Sequence, residues 1–122
     1  MDYNQLCKDV MDLDFAIRFS MVVIDGIKRF GGYRYDVIGI LDSDELTQSI
    51  SYAFDRMVGR FLAEEKLGRT KYAMAEYENV KRVTFPLDQK TLLLVSMDVK
   101  SRHDKIIKLI LKTIAKYDKL EK

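Results

Sequence analysis

Apolar residues recur along this chain at two spacings, and each change of spacing marks an element. Tyr3, Leu6, Cys7 and Val10 fall at i, i+3, i+4 and i+7, which predicts a short amphipathic helix. From Ile17 to Ile24 the spacing drops to two. Ile17, Phe19, Met21 and Val23 alternate with Arg18, Ser20, Val22 and Ile24, so the segment reads as a strand that is polar on one face only at its start. Asp25-Gly26 is the strongest turn signal, because Gly tolerates the positive φ of a tight hairpin. Residues 27–35 then form the returning strand, and Gly31-Gly32 within it marks a bulge or a place where backbone or ligand comes close. Val37-Ile38-Gly39-Ile40-Leu41 reads equally as a strand end or a buried loop.

Asp42-Ser43-Asp44-Glu45 puts cap-forming side chains and acids where a helix's first amides point. Leu46, Ile50, Ala53, Phe54, Met57, Phe61 and Leu62 keep helical spacing, and Gly68 ends the helix, giving one long element from Asp44 to Leu67. Gly59 costs it about 1 kcal/mol relative to Ala and leaves room for close packing on the helix backbone. Beyond Gly68 the period returns to two. Lys71–Glu78 and Lys81–Leu87 form two strands joined near Asn79, with Val83, Phe85 and Leu87 on one face and Arg82 and Thr84 on the other. Pro86 lacks a backbone donor and marks an edge or a last paired position. Thr91–Val99 is apolar on both faces and is the central strand. Ser101 with Asp104 resembles a capping box, and the last helix turns Ile106, Ile107, Ile110, Leu111 and Ile114 inward and its lysines outward. The expected fold is α+β, a five-stranded antiparallel sheet flanked by helices in the order α-β-β-α-β-β-β-α, forming a single domain over residues 1–122.

This order, with Met21-Val-Val-Ile-Asp-Gly-Ile-Lys28, Val83-Thr-Phe-Pro-Leu-Asp88 and Thr91-Leu-Leu-Leu-Val-Ser96, resembles the Roadblock/dynein light-chain family of profilin-like domains. The likeness covers roughly residues 2–118. A closer likeness, to small uncharacterised archaeal proteins, is carried by Glu65-Lys-Leu-Gly-Arg-Thr-Lys-Tyr-Ala-Met-Ala-Glu76 and Val80-Lys-Arg-Val-Thr-Phe-Pro-Leu87. The resemblance implies a homodimer that binds small GTPases or scaffolds signalling complexes, with no catalytic residues. Arg34 to Leu41 departs from that pattern by being more apolar than a polar link.

Composition narrows the chemistry further. The chain has 122 residues, 48% hydrophobic and 33% charged, enough for a real core and too short for two domains. No stretch approaches the roughly 20 apolar residues of a membrane span, and the acidic start is not a signal peptide, so a soluble cytoplasmic protein is expected. With one cysteine and one histidine, Cys7 and His103, no Cys/His metal site can form. Cys7 lies on an apolar stripe and reads as a small buried hydrophobe rather than a reactive thiol. His103 reads as a solvated first-turn residue rather than a general base, since no nucleophile is placed beside it. No Walker or Rossmann glycine pattern occurs. No enzyme, cofactor or metal is expected.

Net charge is +2, yet residues 101–122 hold seven basic and three acidic side chains. Lys66, Arg69, Lys71, Lys81 and Arg82 form a second basic cluster, with Tyr72 and Tyr77 nearby as stacking surfaces. Ordinary solvation of a helix face explains the lysines better than nucleic acid, and the last helix has no apolar face to spare for a membrane. The surplus of apolar residues says more. Tyr33, Tyr35, Val37, Ile38, Ile40 and Leu41 cluster beside the start of the long helix, and Tyr52, Val58 and Leu67 fall off its main stripe. Tyr52, Met57, Val58, Phe61, Tyr72 and Met74 are therefore the candidate dimer interface. The runner-up is a PAS- or profilin-like sensor holding a small apolar molecule beside Phe54 and Met57.

Overall fold

The computed structural model describes residues 1–121; Lys122, counted in the C-terminal charge, lies outside them. The elements are α1 (Tyr3–Met11), β1 (Ile17–Ile24), β2 (Lys28–Tyr33), α2 (Ser43–Phe61), α3 (Glu64–Leu67), β3 (Ala73–Glu76), β4 (Lys81–Pro86), β5 (Thr91–Met97) and α4 (His103–Glu121). All strand pairs are antiparallel, and the spatial order is β2-β1-β5-β4-β3. β5 is central, as its two-sided apolar run predicts, with six of its seven residues buried. Pro86 ends β4 opposite Leu92, where its missing donor breaks no β3 bond, because β3 pairs β4 only as far as Thr84.

The sheet has a core on each face. On one, α1 and α4 lay Leu6, Val10, Ile106 and Ile110 against Val22, Phe85 and Leu93. On the other, α2 alone covers β1 and β5, setting Ile50, Ala53 and Met57 on Phe19, Met21, Val23, Leu92 and Leu94. Local chemistry fixes the helix starts. Asp2 accepts from the Gln5 amide at 3.0 Å, and Asp42 and Glu45 form a reciprocal capping box at 2.8 and 3.0 Å. Asp25 and Gly26 both take positive φ, 54° and 71°, the mirror-image turn that matches strand twist.

The structure departs from expectation at identifiable places. A register shift between Ile17 and Phe19 puts Ile17 in the α1/α4 core with Val22, while Phe19 goes to α2. The long helix stops at Phe61: the Ala63 amide reaches back only to the Arg60 carbonyl at 3.0 Å, and α3 starts one residue later. Leu62, on the expected inner stripe, is consequently 85% exposed. Residues 37–41 form neither strand nor buried loop; Ile38 and Ile40 face solvent. β2, β3 and β5 are each shorter than the apolar pattern suggests. Ser101 does not cap α4, because its hydroxyl is buried without a partner.

Gly31-Gly32 makes no bulge, since the β1–β2 register runs unbroken from Tyr33 to Lys28. It is a close approach instead. At φ 83°, a Cβ on Gly31 would lie 2.3 Å from the Ser20 carbonyl oxygen and 2.8 Å from Cys7 Sγ, so α1 sits directly on β2 backbone.

Candidate interaction surface

The two sheet edges are built differently. Along β2, Lys28 and Arg29 are exposed, and α1 presses on the middle of the strand, where Tyr3 packs on Phe30 with ring centroids 5.6 Å apart. Charge and a covering helix are the ordinary protections of an edge. β3 has neither. Its four residues, Ala-Met-Ala-Glu, pair with β4 on one side only, and three of them are exposed.

Residues facing each other across an antiparallel pair share a sheet face. Met74 faces Val83, so it belongs to the α1/α4 side, as does Tyr72, whose ring lies 6.2 Å from that of Phe85. Ala73 and Ala75 face Thr84 and Arg82 on the α2 side. There α2 stops short: it spans β1 and β5 but leaves β4 and β3 outside its core. A groove of ≈ 590 Å³ opens along this flank of α2, lined by Tyr33, Tyr52, Tyr77 and the arginines Arg18, Arg56 and Arg82.

The six candidate interface residues do not form one patch. Met57 is fully buried under α2 and offers nothing to a partner. Phe61 is half-buried against the same core. Val58 is exposed but stands six residues from Tyr52, about 240° around the helix at ~100° per residue, which places it on the other flank. That flank faces β2: Thr47, three turns before Val58, accepts from Arg29 at 3.3 Å. Tyr52, Tyr72 and Met74 remain near the β3 edge, on its two faces. Tyr77, Arg18 and Arg56 line the groove; the expectation had Tyr77 only as a stacking surface beside the basic cluster and gave Arg18 and Arg56 no part in a site. Alternation extended past β3 would have placed Tyr77 with Ala73 and Ala75.

The basic cluster is likewise divided. Lys66, Arg69 and Lys71 are exposed around α3 and the link to β3. Lys81 and Arg82 are neighbours in sequence and so point to opposite faces of β4. Arg82 lines the groove, whereas Lys81 is buried, its Nζ donating to the Ser101 carbonyl at 2.8 Å and contacting His103 Nδ1 at 2.9 Å, with Glu76 at 3.9 Å. No continuous basic stripe results.

Among the described residues neither His103 nor Cys7 is set up as a base or a nucleophile. The contact from Lys81 occupies one His103 nitrogen, and burial pushes the Cys7 thiol up from its ordinary pKa, away from the thiolate a nucleophile needs. Among the described residues no group of three His, Cys, Asp or Glu side chains could hold a metal ion, and no helix is long and apolar enough to cross a membrane.

A helix-sheet-helix sandwich with strand order 2-1-5-4-3 and a single helix on one face defines a profilin-like α+β architecture. Within that class the fold is of the Roadblock/LC7 type. MglB from Myxococcus xanthus superposes with a TM-score of 0.68 at 12% identity, covering 95% of this chain and 90% of that one. The gliding protein MglB of Thermus thermophilus gives 0.67 at 12% identity over 92% and 84%, and a Roadblock/LC7 domain from Streptomyces avermitilis 0.62 at 12% over 96% and 98%. No family model and no curated protein matches the sequence. The expectation of a closest likeness to small archaeal proteins is corrected: the matching folds are bacterial. The residues that suggested it, 65–76 and 80–87, lie in α3, the link that follows it, the edge strand β3 and its neighbour β4.

Proposed function

We propose that this chain is a single-domain, non-catalytic interaction module that works as a homodimer. The observation that carries the reading is the half of the sheet outside the α2 core. On the α2 face, among the described residues, β3 and β4 are flanked by one side of α2 and lie outside the core it forms, and the outer edge of β3 has no strand partner. Two strands are about 10 Å wide and a helix with its side chains is about 10–12 Å across. One more helix and one more strand complete the structure, and a second copy related by a two-fold axis supplies both. Tyr52, exposed by 60%, lies on the face that the second copy's helix would cover, and Tyr72 and Met74, exposed by 43% and 37%, flank the β3 edge from the opposite face, where an added strand would meet them. The protein partner is then a small GTPase or a signalling protein, engaging the remaining surface of the dimer. The family resemblance and the fold shared with MglB support this choice; no residue reads a guanine nucleotide.

Light scattering after size exclusion tests the dimer. The wild type is expected at twice 14.3 kDa at micromolar concentration. Tyr52→Asp with Met74→Lys removes the apolar burial still open to these half-exposed side chains, together about 1.5–3 kcal/mol, and raises the dimer Kd at least about tenfold. Val58→Asp, on the other flank, leaves the dimer intact. A wild type that stays monomeric at every concentration, or a dimer broken only by Val58→Asp, refutes the arrangement.

A further inference from the structure

The outer ridge of α4 carries a single sign of charge. Lys105, Lys108, Lys112, Lys116 and Lys119 are all exposed. At ~100° per residue they fall within about 80° of the helix circumference, opposite the buried Ile106, Ile107 and Ile110. At ~1.5 Å per residue they form one row about 21 Å long, and Asp104 and Asp118 fall outside it. Among the described residues none of the five lysines donates a hydrogen bond or forms an ion pair; Lys116 feels the charge of Asp9, a carboxylate that Tyr117 and Gln5 already engage. The row works against the helix that carries it. Its successive members stand three or four residues apart, the spacing at which like charges repel, and Lys105 sets a cation in the first turn, against the helix dipole. Solvation alone asks only for polar side chains, and acids interleaved with the lysines would meet that demand while stabilising α4.

We propose that this row docks an acidic helix of a protein partner, whose carboxylates recur at the same three- and four-residue spacing. The two rows then meet charge against charge along their length, and the repulsion within each is relieved. The narrowness of the row selects a helix over a broader polyanion. α1 lies beside α4 on the same face of the sheet, tied to it by Tyr117 and Asp9, and exposes Asp2 and Asp12 there. A nucleic-acid duplex or an anionic bilayer laid across the lysines brings its phosphates towards these carboxylates, whereas a single helix can follow α4 alone. The row also lacks a ring on which a base could stack, since Tyr117, the one tyrosine of α4, turns to Asp9. The ridge points away from the sheet on the face opposite α2, so a second copy added at β3 leaves it open, and the inference does not rest on the dimer.

The probe is an alanine-based peptide stapled as a helix, with glutamates at the spacing of the five lysines. Its control has the same composition and staple, with the glutamates spread around the helix. Each peptide is labelled and titrated with the full chain by fluorescence anisotropy at low salt, with the oligomeric state measured on the same samples. We expect saturable binding of one row peptide per chain, at least tenfold tighter than the control and weakening as salt is added. Lys108→Gln with Lys112→Gln should weaken it at least tenfold without lowering the melting temperature. Lys66→Gln with Lys71→Gln, in the other basic cluster, should leave it unchanged. Equal binding of the two peptides, unchanged binding by the α4 variant, or an equal loss in both variants overturns the proposal. So does tighter binding of duplex DNA, or of vesicles of equal parts phosphatidylserine and phosphatidylcholine, than of the row peptide, which would assign the lysines to a phosphate surface. Each chain carries its own row, so a monomeric wild type that binds the peptide defeats the dimer reading alone, and a dimer that does not bind it defeats this one alone.

Discussion

Replacing Gly31 by Ala adds one carbon at the most constrained point in the sheet. At φ 83° an alanine pays a left-handed penalty of about 1–2 kcal/mol. The new Cβ would also lie 2.3 Å from the Ser20 carbonyl oxygen and 2.9 Å from Cys7 Cβ, so β1 backbone or α1 must move. Overpacking of this kind costs about 1–3 kcal/mol. The sum, about 2–5 kcal/mol, is a large part of the roughly 5–15 kcal/mol that stabilises a domain. With an unfolding entropy of about 2.1 cal/mol/K per residue, the melting temperature falls by about 8–20 °C. Circular dichroism melts of Gly31→Ala measure this directly. Because the nearest atom is backbone and not the thiol, adding Cys7→Ala should recover less than half of the loss. A Gly31→Ala melt within about 2 °C of wild type would refute the close approach, and nearly full rescue by Cys7→Ala would show that the thiol is the obstacle.

Tyr117 on α4 donates to Asp9 on α1, and both groups respond to pH. Burial, reinforced by the Asp9 carboxylate, pushes the phenol up to about 12, while the phenol's hydrogen bond holds Asp9 below the usual carboxylate range. Asp9 therefore contributes stability above pH ~4 that is lost as pH falls through its lowered pKa, and Tyr117 contributes below pH ~10 and loses it as pH rises through about 12. Urea unfolding of Tyr117→Phe should show a deficit of about 1 kcal/mol, screened by solvent, across pH 5–9 that shrinks outside it; a pH-independent deficit would contradict this. Lys81→Met leaves the Ser101 carbonyl without the donor that satisfies it, at a cost of about 1–3 kcal/mol in the same assay. A neutral result would mean that the lysine's burial cost already cancels its bonds.

Much of this fold can be read from residue order. Two-sided apolarity in Leu92–Val95 requires a covered, central strand, and Val83 and Phe85 alternating with Arg82 and Thr84 assign β4 its faces without any tertiary information. Capping at Asp42 is equally local. The failures share a cause: periodicity says that a face is buried but not how far the burial extends or against what. Met57 lies on the same stripe as Ile50 and Ala53, and counting it toward an interface used one stripe twice. The stop at Phe61 left Leu62 outside because the backbone tightens there, at a Leu-Ala pair that carries no breaker. Lys81 and Arg82 look like a patch only while strand alternation is ignored. Arg18, Arg56 and Arg82 are 26 or more residues apart, so no window of sequence contains the groove.

The strand order also governs how the molecule is made. β5 lies between β1 and β4 yet comes last among the strands, so the α1-β1-β2 unit and the β3-β4 hairpin share no sheet until residues 91–97 exist. At a ribosomal pace of about 5–20 residues per second, β1 waits roughly 3–13 s for its neighbour, with Phe19, Met21 and Val23 uncovered on one side. Through that interval a nascent chain presents the unfinished β1 edge, joined by that of β4 only once residue 86 is made, and neighbouring chains on one message present the same ones. Insertion of β5 closes both gaps at once, which makes the last strand the step that commits the polypeptide to a single folded chain.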